Sequence, residues 1–418
     1  MCGRSSTLRS GTPMPTSSAR GSIGFAEFIA LMAALTAMVA MSIDVILPAL
    51  SDIGRDLAVD SPNDRQLTVT MFFLGLAVSQ IVYGPLSDSF GRRFGIFLGL
   101  GIYLVGTVLC LVSETLPVLV AGRIIQGIGA AGPRIVANAI VRDRYSGRPM
   151  ARVSSLIMMV FIVVPVFAPL LGQGILLLVP WRGIFWFLAF FALIAFVWSA
   201  LRLEETLPKD GRRPFRPGPI LEALKLILRN RLAVGCTLAI GFVFTAFLAF
   251  LSSSQQILGE AYGLGPLFPI TFSALALVVG LSSAMNAALV VRFGMERLST
   301  IGIAGIGLAS LAFVLWSVGF GMPPLWAALV WLAISVGSIG IIFGNLNAMA
   351  MEPLGAVAGV AAGAIGSVSS LMSSVLGTAI ARTYDGTALP IALGFVGCSI
   401  ASLVLMRWAT KERVRRVR

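Results

Sequence analysis

The sequence has no histidine among its 418 residues, and only 12% of those residues are charged. Without an imidazole there is neither Ser–His–Asp catalysis nor a histidine-ligated zinc site. The four cysteines, Cys2, Cys110, Cys236 and Cys398, lie far apart and form no C-x-x-C motif. A phosphate-binding G-x4-G-K-[ST] motif is also missing, so ATP cannot directly drive any process that this chain performs.

Apolar residues are in excess, because 57% of the chain is hydrophobic. Soluble proteins contain roughly 45–50% apolar residues and about 25% charged ones. The composition therefore indicates a protein embedded in a membrane. It excludes a soluble enzyme, a nucleic-acid binder and a disordered scaffold.

Twelve apolar runs approach the length of about 20 residues that a helix needs to cross the hydrocarbon core. Six precede a polar stretch over 202–231 and six follow it. They lie near 26–50, 67–86, 94–113, 116–138, 154–178, 182–201, 232–252, 266–291, 298–319, 324–344, 356–379 and 388–407. We predict an all-α integral membrane protein whose two six-helix lobes, 25–201 and 232–408, are related by pseudo-two-fold symmetry. A basic linker, 202–231, joins the lobes, and tails 1–24 and 409–418 flank them.

Basic residues alternate in number from one predicted loop to the next. If the N-terminus lies inside, 25 of the 31 lysines and arginines fall on the inner side. This excess is typical of cytoplasmic loops. We therefore predict a multi-pass protein of a bacterial cytoplasmic (inner) membrane with both termini in the cytoplasm, and no nucleic-acid partner.

Away from the helix ends, three charged residues, Asp44, Arg123 and Arg134, lie inside predicted spans, where charge is costly and usually functional. Counted from the outer ends of spans 1 and 4, Asp44 and Arg123 share a depth of ~9–10 Å. We expect them to face each other across a polar cavity, where Asp44 binds and releases a proton. Two alternatives stay open: a fixed structural ion pair, or an Asp44 that reaches the outer interface. For Arg134 we favour a structural role, with the side chain snorkelling toward the inner interface.

The turn between spans 2 and 3 reads Gly84-Pro-Leu-Ser-Asp88-Ser-Phe-Gly91-Arg92-Arg93. Its glycines permit a tight turn, and Asp88 with the two arginines provides a charged latch on the inner side. The segment resembles the signature loop of the major facilitator superfamily, which consists of twelve-helix secondary transporters. It departs from that pattern at Ser89, where the family usually has a basic residue.

The resemblance implies two contacts for this loop. Asp88 is expected to meet the N-terminus of span 11, which we place near Gly355. A close-packing face of small residues begins there, formed by Gly355, Gly359 and Gly363. Asp143, at the inner end of span 4, is expected to pair with Arg92.

Two further motifs resemble those of the same superfamily. Arg123-Ile-Ile-Gln126-Gly127 looks like its charged helix-four motif, whose arginine is implicated in proton coupling. Pro165-x3-Pro169-x2-Gly172 looks like the helix-five motif of its drug antiporters, although Ala168 and Gln173 replace expected glycines.

Segments outside these motifs resemble one branch of the superfamily, the Bcr/CflA drug:proton antiporters. They include Asp44-Val-Ile-Leu-Pro48, Glu205-Thr-Leu and Ser252-Ser-Ser-x5-Glu260. The similarity runs from about residue 25 to 408. It implies a proton-coupled exporter of small lipophilic compounds (multidrug efflux by antiport) that works by alternating access.

The expected partners are a small-molecule substrate, protons and the bilayer, with no cofactor besides the proton gradient, and we expect a monomer. The central cavity is expected to be mainly apolar. Its candidate lining residues are Phe72, Gln80, Gln126, Met158, Phe247 and Asn345.

Two other functions compete with export. One is a proton-coupled importer of a metabolite with the same fold. The other is an integral-membrane transferase, whose chemistry needs clustered acids or a nucleophile–base pair at one membrane surface. The acids here are scattered, so we predict that the protein is not an enzyme.

Overall fold

A computed structural model describes residues 23–212, 214 and 217–417. Within these residues it is built of helices, and twelve of them are long and apolar enough to cross a membrane. The predicted fold class is therefore confirmed. The predicted tail 1–24 lies outside the described residues except for its last two positions, as do 213, 215 and 216 of the linker.

The twelve spans fall into two sets of six. Spans 1 to 6 are Phe25–Asp56, Asp64–Phe90, Arg92–Leu111, Leu116–Arg144, Gly147–Leu176 and Arg182–Arg202. Spans 7 to 12 are Arg231–Ala261, Gly265–Phe293, Met295–Phe320, Leu325–Gly355, Val360–Ala381 and Leu389–Lys411. A further helix, Pro217–Arg229, lies in the linker and packs against spans 7 and 11. We call the end of the bundle that carries the linker the linker end, and the opposite end the far end.

Spans 1 to 6 pack mainly against one another, as do spans 7 to 12. The two sets meet where span 2 lies along span 11 and where span 5 lies along span 8. Glycines allow the closest approaches inside the first set. A Cβ on Gly75 would lie 2.1 Å from the carbonyl oxygen of Ile124, and one on Gly127 would lie 2.1 Å from that of Phe72. Spans 2 and 4 are thus in direct backbone contact.

Span 1 is interrupted near its far end. Its first helix, Phe25–Asp44, is followed by a short 3₁₀ turn, Leu47–Ala49, and a second helix, Leu50–Asp56. Pro48 explains the break, because it has no N–H for the carbonyl of Asp44 four residues earlier and its ring crowds that carbonyl.

Span 11 begins later than the sequence suggested. A 3₁₀ stretch, Glu352–Val357, separates it from span 10, and its regular helix is Ala358–Ala381. Gly355 is exposed, and a Cβ there would meet nothing within 4 Å, so it makes no close contact. A Cβ on Gly363 would lie 3.4 Å from the carbonyl oxygen of Gln80 in span 2, whereas the surroundings of Gly359 lie outside the described residues.

Candidate functional site

Arg123 lies at the centre of the first lobe with its side chain fully buried. Its Nε donates to the carbonyl oxygen of Thr68 in span 2 at 2.7 Å, and its Nη2 donates to that of Ser42 in span 1 at 3.0 Å. Its Nη1 donates to Oε1 of Gln126, one turn along span 4. The guanidinium also stacks 4.6 Å from the ring centre of Phe72. Arg123 therefore joins spans 1, 2 and 4.

Polar side chains extend this network into span 3. Gln126 Nε2 donates to Thr107 Oγ1 at 2.8 Å, which fixes the orientation of the amide toward Arg123. Ser42 Oγ and the Tyr103 hydroxyl lie 2.6 Å apart. These groups are buried, so the network is a polar core inside the lobe.

Asp44 lies close to this core but outside its network. Its side chain is 5% exposed, and within the described part of the chain no hydrogen bond or ion pair ends on its carboxylate. Both sequence-based alternatives, a fixed Asp44–Arg123 ion pair and a carboxylate at the outer interface, are therefore wrong for this conformation. Arg123 binds the backbone of Ser42 instead, and side chains two residues apart on an α-helix point about 200° apart.

A strip of small side chains leads along span 1 to Asp44. Ala26, Ala30, Ala33 and Ala37 are spaced by three or four residues and share its helix face. Ala26 and Ala30, nearest the linker end, are exposed, whereas Ala33 and Ala37 are buried. The strip is exposed at the linker end and becomes buried nearer Asp44.

The helix-five motif packs against the break in span 1. A Cβ on Gly172 would lie 2.1 Å from the carbonyl oxygen of Val45, the residue after Asp44. Pro169 is buried in the same helix, Gly147–Leu176, which also contains Pro165. Ala168, which stands where the family has glycine, is 1% exposed and so fits this interface. The structure therefore brings the helix-five motif and Asp44 together.

The linker-end latch is centred on Arg92. Its Nε donates to Asp143 at 2.7 Å, its Nη1 donates to Ser87 Oγ at 2.9 Å, and it forms an ion pair with Asp88. The predicted pairing of Arg92 with Asp143 is therefore present. Gly91 adopts φ +106°, a conformation that only glycine takes without strain. The contact of Asp88 with span 11 stays a prediction.

Glu205, after span 6, completes the latch, whereas the sequence marked it only as part of the family-like segment Glu205-Thr-Leu and gave it no role in the latch. Its carboxylate accepts the backbone N–H groups of Arg92 at 2.9 Å and Arg93 at 3.2 Å. It thereby caps the first turn of span 3, where a helix favours negative charge. The signal for Glu205 in the sequence was an acid followed by Thr-Leu directly after span 6.

Gly84, another predicted latch residue, makes no close contact, since a Cβ there would meet nothing within 4 Å.

Four of the residues predicted to line the cavity are instead buried between helices. Phe72 and Gln126 are 0% exposed within the Arg123 network. Asn345 is 3% exposed and exchanges hydrogen bonds with Asn286 of span 8. Gln80 is 9% exposed, and its Nε2 lies 3.4 Å from Ser370 Oγ in span 11. These four residues hold helices together, because each packs against or hydrogen-bonds to a side chain of a neighbouring span.

Aromatic residues from both lobes instead meet at the interface between the lobes. Phe343 of span 10 is 41% exposed and packs 5.9 Å from Phe244 of span 7, which packs 6.0 Å from Phe73 of span 2. Phe343 therefore points between the lobes. Phe247, a predicted lining residue, is half-buried beside Phe244 at 5.6 Å. Sequence patterns alone did not distinguish Phe343 from a lipid-facing residue.

Arg134 of span 4 lies against span 5. It shares the face of span 4 that carries Arg123 and Gly127, is partly exposed, and stacks 5.8 Å from the ring centre of Phe161 in span 5. Phe161 sits midway along the 30-residue helix Gly147–Leu176. Arg134 therefore stays at mid-depth, and the prediction that it snorkels to the interface is wrong. Met158, a predicted lining residue, lies one turn from Phe161 and is 56% exposed.

The two lobes are joined at the far end by an ion pair that the sequence did not predict. Arg65 Nη2 donates to Glu260 Oε2 at 2.6 Å, and Ser51 Oγ donates to Glu260 Oε1 at 2.8 Å. Glu260 lies in a π-helical end of span 7, Gln255–Ala261. This wider helix turns the Glu260 side chain toward the first lobe.

Gln256, in the same π-helical turn, adds neutral contacts across the lobes. Its amide meets Gln66 and Asn63 of the first lobe, the latter at 3.0 Å. Within the second lobe, its carbonyl oxygen accepts the Tyr384 hydroxyl at 3.0 Å. Burial raises the pKa of Tyr384 to about 12, so its hydroxyl stays protonated and donates this bond at neutral pH. The far end is thus closed by a polar cluster.

These features define a two-lobed membrane protein whose lobes are joined at the far end by a polar cluster. Comparison with known proteins agrees, since residues 32–378 match the family model described as Major Facilitator Superfamily. The chain belongs to the major facilitator superfamily, and the family predicted from the sequence is confirmed.

Named relatives cover nearly the whole chain. The MFS-type transporter YdgK of Bacillus subtilis is 31% identical over 96% of this chain and 98% of its own length. The bicyclomycin resistance protein homolog of Haemophilus influenzae is 28% identical over 93% and 97%, and the multidrug resistance protein MdtL of Escherichia coli is 26% identical over 93% and 96%.

Solved structures show the same fold at lower identity. The human organic anion transporter MFSD10 aligns with a TM-score of 0.66 at 18% identity over 91% of this chain and 98% of its own. The Escherichia coli xylose transporter XylE aligns with a TM-score of 0.69 at 13% identity over 92% and 97%.

Proposed function

We propose that the protein is a proton-coupled secondary transporter that exports small, largely lipophilic compounds by alternating access. The observation that carries this proposal is Asp44, a buried carboxylate at the break in span 1 that has no partner among the described residues. An ionisable group inside a membrane protein marks a functional path when no fixed counter-charge explains it. Relatives named for bicyclomycin and multidrug resistance support export as the direction.

The proposed cycle uses the two lobes as rigid bodies. In the present conformation the far end is closed and the alanine strip leads from the linker end to Asp44. A proton leaves Asp44 toward the cytoplasm in this state, and substrate enters from the same side. When the far-end contacts separate, Asp44 becomes accessible from outside and takes up the next proton while substrate leaves.

Arg123 is assigned to coupling through its position. It binds the carbonyl oxygen of Ser42, two residues before Asp44, and so links span 4 to the segment of span 1 that carries the acid. A movement of span 1 against span 4 therefore changes the surroundings of both groups. The proposal places the protein in a bacterial inner membrane with both termini cytoplasmic, as a monomer without cofactor or catalytic activity.

Export is tested in a bacterial host that lacks its own exporters. Wild type, Asp44→Asn and the control Asp52→Asn are produced at equal membrane abundance, because Asp52 is a far-end acid paired with Arg55. Susceptibility to a drug panel that includes bicyclomycin, and efflux of the same compounds, are measured with and without an uncoupler. We expect Asp44→Asn to lose gradient-driven efflux and Asp52→Asn to retain it.

Full efflux by Asp44→Asn would contradict the proposed proton site. A rise rather than a fall in the cellular content of a transported compound would indicate the importer. Proton release from purified protein on addition of a transported compound, in weakly buffered detergent solution, provides an independent check. That release should disappear in Asp44→Asn.

A further inference from the structure

Arg134 is a cation at mid-depth, and its guanidinium N–H groups have no acceptor among the described residues. Within the part of the chain that the structure describes, no hydrogen bond or ion pair ends on its guanidinium, and its one recorded side-chain contact is the ring of Phe161 at 5.8 Å. Arg123, eleven residues earlier on the same helix face, has three protein acceptors. A guanidinium carries five N–H donors, and leaving them unmet away from bulk water is costly.

Asp44 does not serve as its counter-ion. Arg134 lies eleven residues beyond Arg123 along span 4, which is about 16 Å toward the linker end. Asp44 lies near the level of Arg123, because Arg123 binds the carbonyl oxygen of Ser42. An anion held by Arg134 is therefore well separated from the carboxylate of Asp44.

The surroundings of Arg134 suit a ligand with an apolar body. Phe161 provides an aromatic face, and Met158, one turn away, is 56% exposed. In the second lobe, Phe343 is 41% exposed and Phe247 half-buried near the interface between the lobes. Ile162, next to Phe161, packs on Gly280 of span 8, where an added Cβ would lie 2.7 Å from it. The Arg134 site thus adjoins a contact between the lobes.

We infer that Arg134 and Phe161 form a substrate-binding site for amphipathic anions. The ligand class is an aromatic or otherwise apolar body that carries a sulfonate, carboxylate or similar group. The anionic group binds the guanidinium through charge-assisted hydrogen bonds, and the body lies against Phe161 and the aromatic residues of the second lobe. The inference rests on the proposed transport function and specifies its substrate class.

The test measures binding to the purified full-length protein in detergent without any gradient. The probes are naphthalene-2-sulfonate and its uncharged analogue naphthalene-2-sulfonamide, which share a ring system and differ in charge. Variants are Arg134→Met, which removes the charge, Arg134→Lys, which keeps it, and Phe161→Leu. The matched control is Arg297→Met, because Arg297 also stacks on a phenylalanine, Phe293 at 6.0 Å, but at the exposed turn between spans 8 and 9.

We expect wild type to bind the sulfonate more tightly than the sulfonamide. Arg134→Met should weaken sulfonate binding by about tenfold or more, as expected for loss of a charge-assisted bond, and leave sulfonamide binding within about twofold. Arg134→Lys should restore part of the sulfonate affinity, Phe161→Leu should weaken both probes, and Arg297→Met should change neither.

Equal wild-type affinity for the two probes would overturn the inference, and this comparison needs no variant to fold. Unchanged sulfonate binding by a folded Arg134→Met would overturn it as well. The outcome is independent of proton coupling. Arg134-dependent binding combined with gradient-independent efflux would refute the antiport mechanism and leave the anion site standing.

Discussion

At the scale of single residues, the two arginines of span 4 differ in what satisfies them. Arg123 has two backbone carbonyls and the Gln126 side chain as acceptors, together with the Phe72 ring. Arg134 has a ring alone within the described residues. A buried cation that the protein supplies with several acceptors is part of the framework, whereas a partly exposed one without an acceptor among the described residues is available to a ligand.

The Arg123 network predicts that lysine cannot replace this arginine. A lysine ammonium is a compact charge and cannot reproduce a planar fork that reaches three acceptors on three spans. We expect Arg123→Lys to lower the stability of the purified protein by about 2 kcal/mol or more, since each lost bond to a charged group costs about 1.5–3 kcal/mol. Thermal unfolding followed by tryptophan fluorescence measures this loss. Arg297→Lys, at an exposed site, is the control, and equal unfolding midpoints for the two variants would contradict the assigned role.

At the scale of helices, the break in span 1 and the helix-five motif belong together. Pro48 ends the first helix at Asp44, and Gly172 of span 5, by lacking a side chain, leaves room for the carbonyl oxygen of Val45, the residue after Asp44. The glycine is therefore a packing requirement of this break. The motif places span 5 against the point where Asp44 leaves the regular helix.

Gly172 and Gly174 allow a matched test of this packing. A methyl group at Gly172 would overlap the Val45 carbonyl, whereas one at Gly174 would meet nothing within 4 Å. We expect Gly172→Ala to destabilise the protein by about 1–3 kcal/mol, as overpacking typically does, and to reduce efflux. Gly174→Ala should leave both within error or slightly raise stability. Loss of efflux in both variants would indicate that the effect is not due to the contact with span 1.

At the scale of the whole molecule, the far-end cluster holds the lobes in the observed arrangement. Arg65 and Glu260 come from different lobes, as do Gln66 and Gln256. Such contacts stabilise one of the two states of an alternating-access cycle and must break in the other. They act on the balance between states without contacting the central cavity.

Glu260→Gln is expected to shift this balance toward a state open at the far end. Glu260 is 41% exposed on its side chain, so its ion pair contributes only about 1 kcal/mol or less, and the population shift should reach at most about fivefold. Spin labels at Asp60 and Leu267, with the native cysteines replaced, report the far-end separation by pulsed electron paramagnetic resonance. Asp385→Asn is the control, because Asp385 accepts its hydrogen bonds from Thr387 of the same loop. Unaltered distance distributions in Glu260→Gln would show that the pair does not bias the states.

The number of spans, the two-lobed order and the latch loop were readable from the residues. Backbone polar groups must be satisfied inside each crossing segment, so an apolar run of sufficient length has one outcome wherever it lies. The pairing of Arg92 with Asp143 was also predictable, because it follows from a local turn and a motif of fixed spacing. The start of span 11 was predictable only to within a few residues, since the sequence placed it near 355–356 and the regular helix begins at Ala358, after the 3₁₀ stretch Glu352–Val357.

Which side chains face the cavity was decided by packing alone. Phe72 and Phe73 are neighbours in the sequence, yet Phe72 stacks on Arg123 inside the lobe and Phe73 meets Phe244 of the other lobe. In a membrane protein both the lipid face and the cavity face are apolar, so hydrophobicity does not separate them. The partner of Arg123 depended in the same way on the rotation of span 1, which brought a backbone carbonyl rather than the carboxylate of Asp44 within its reach.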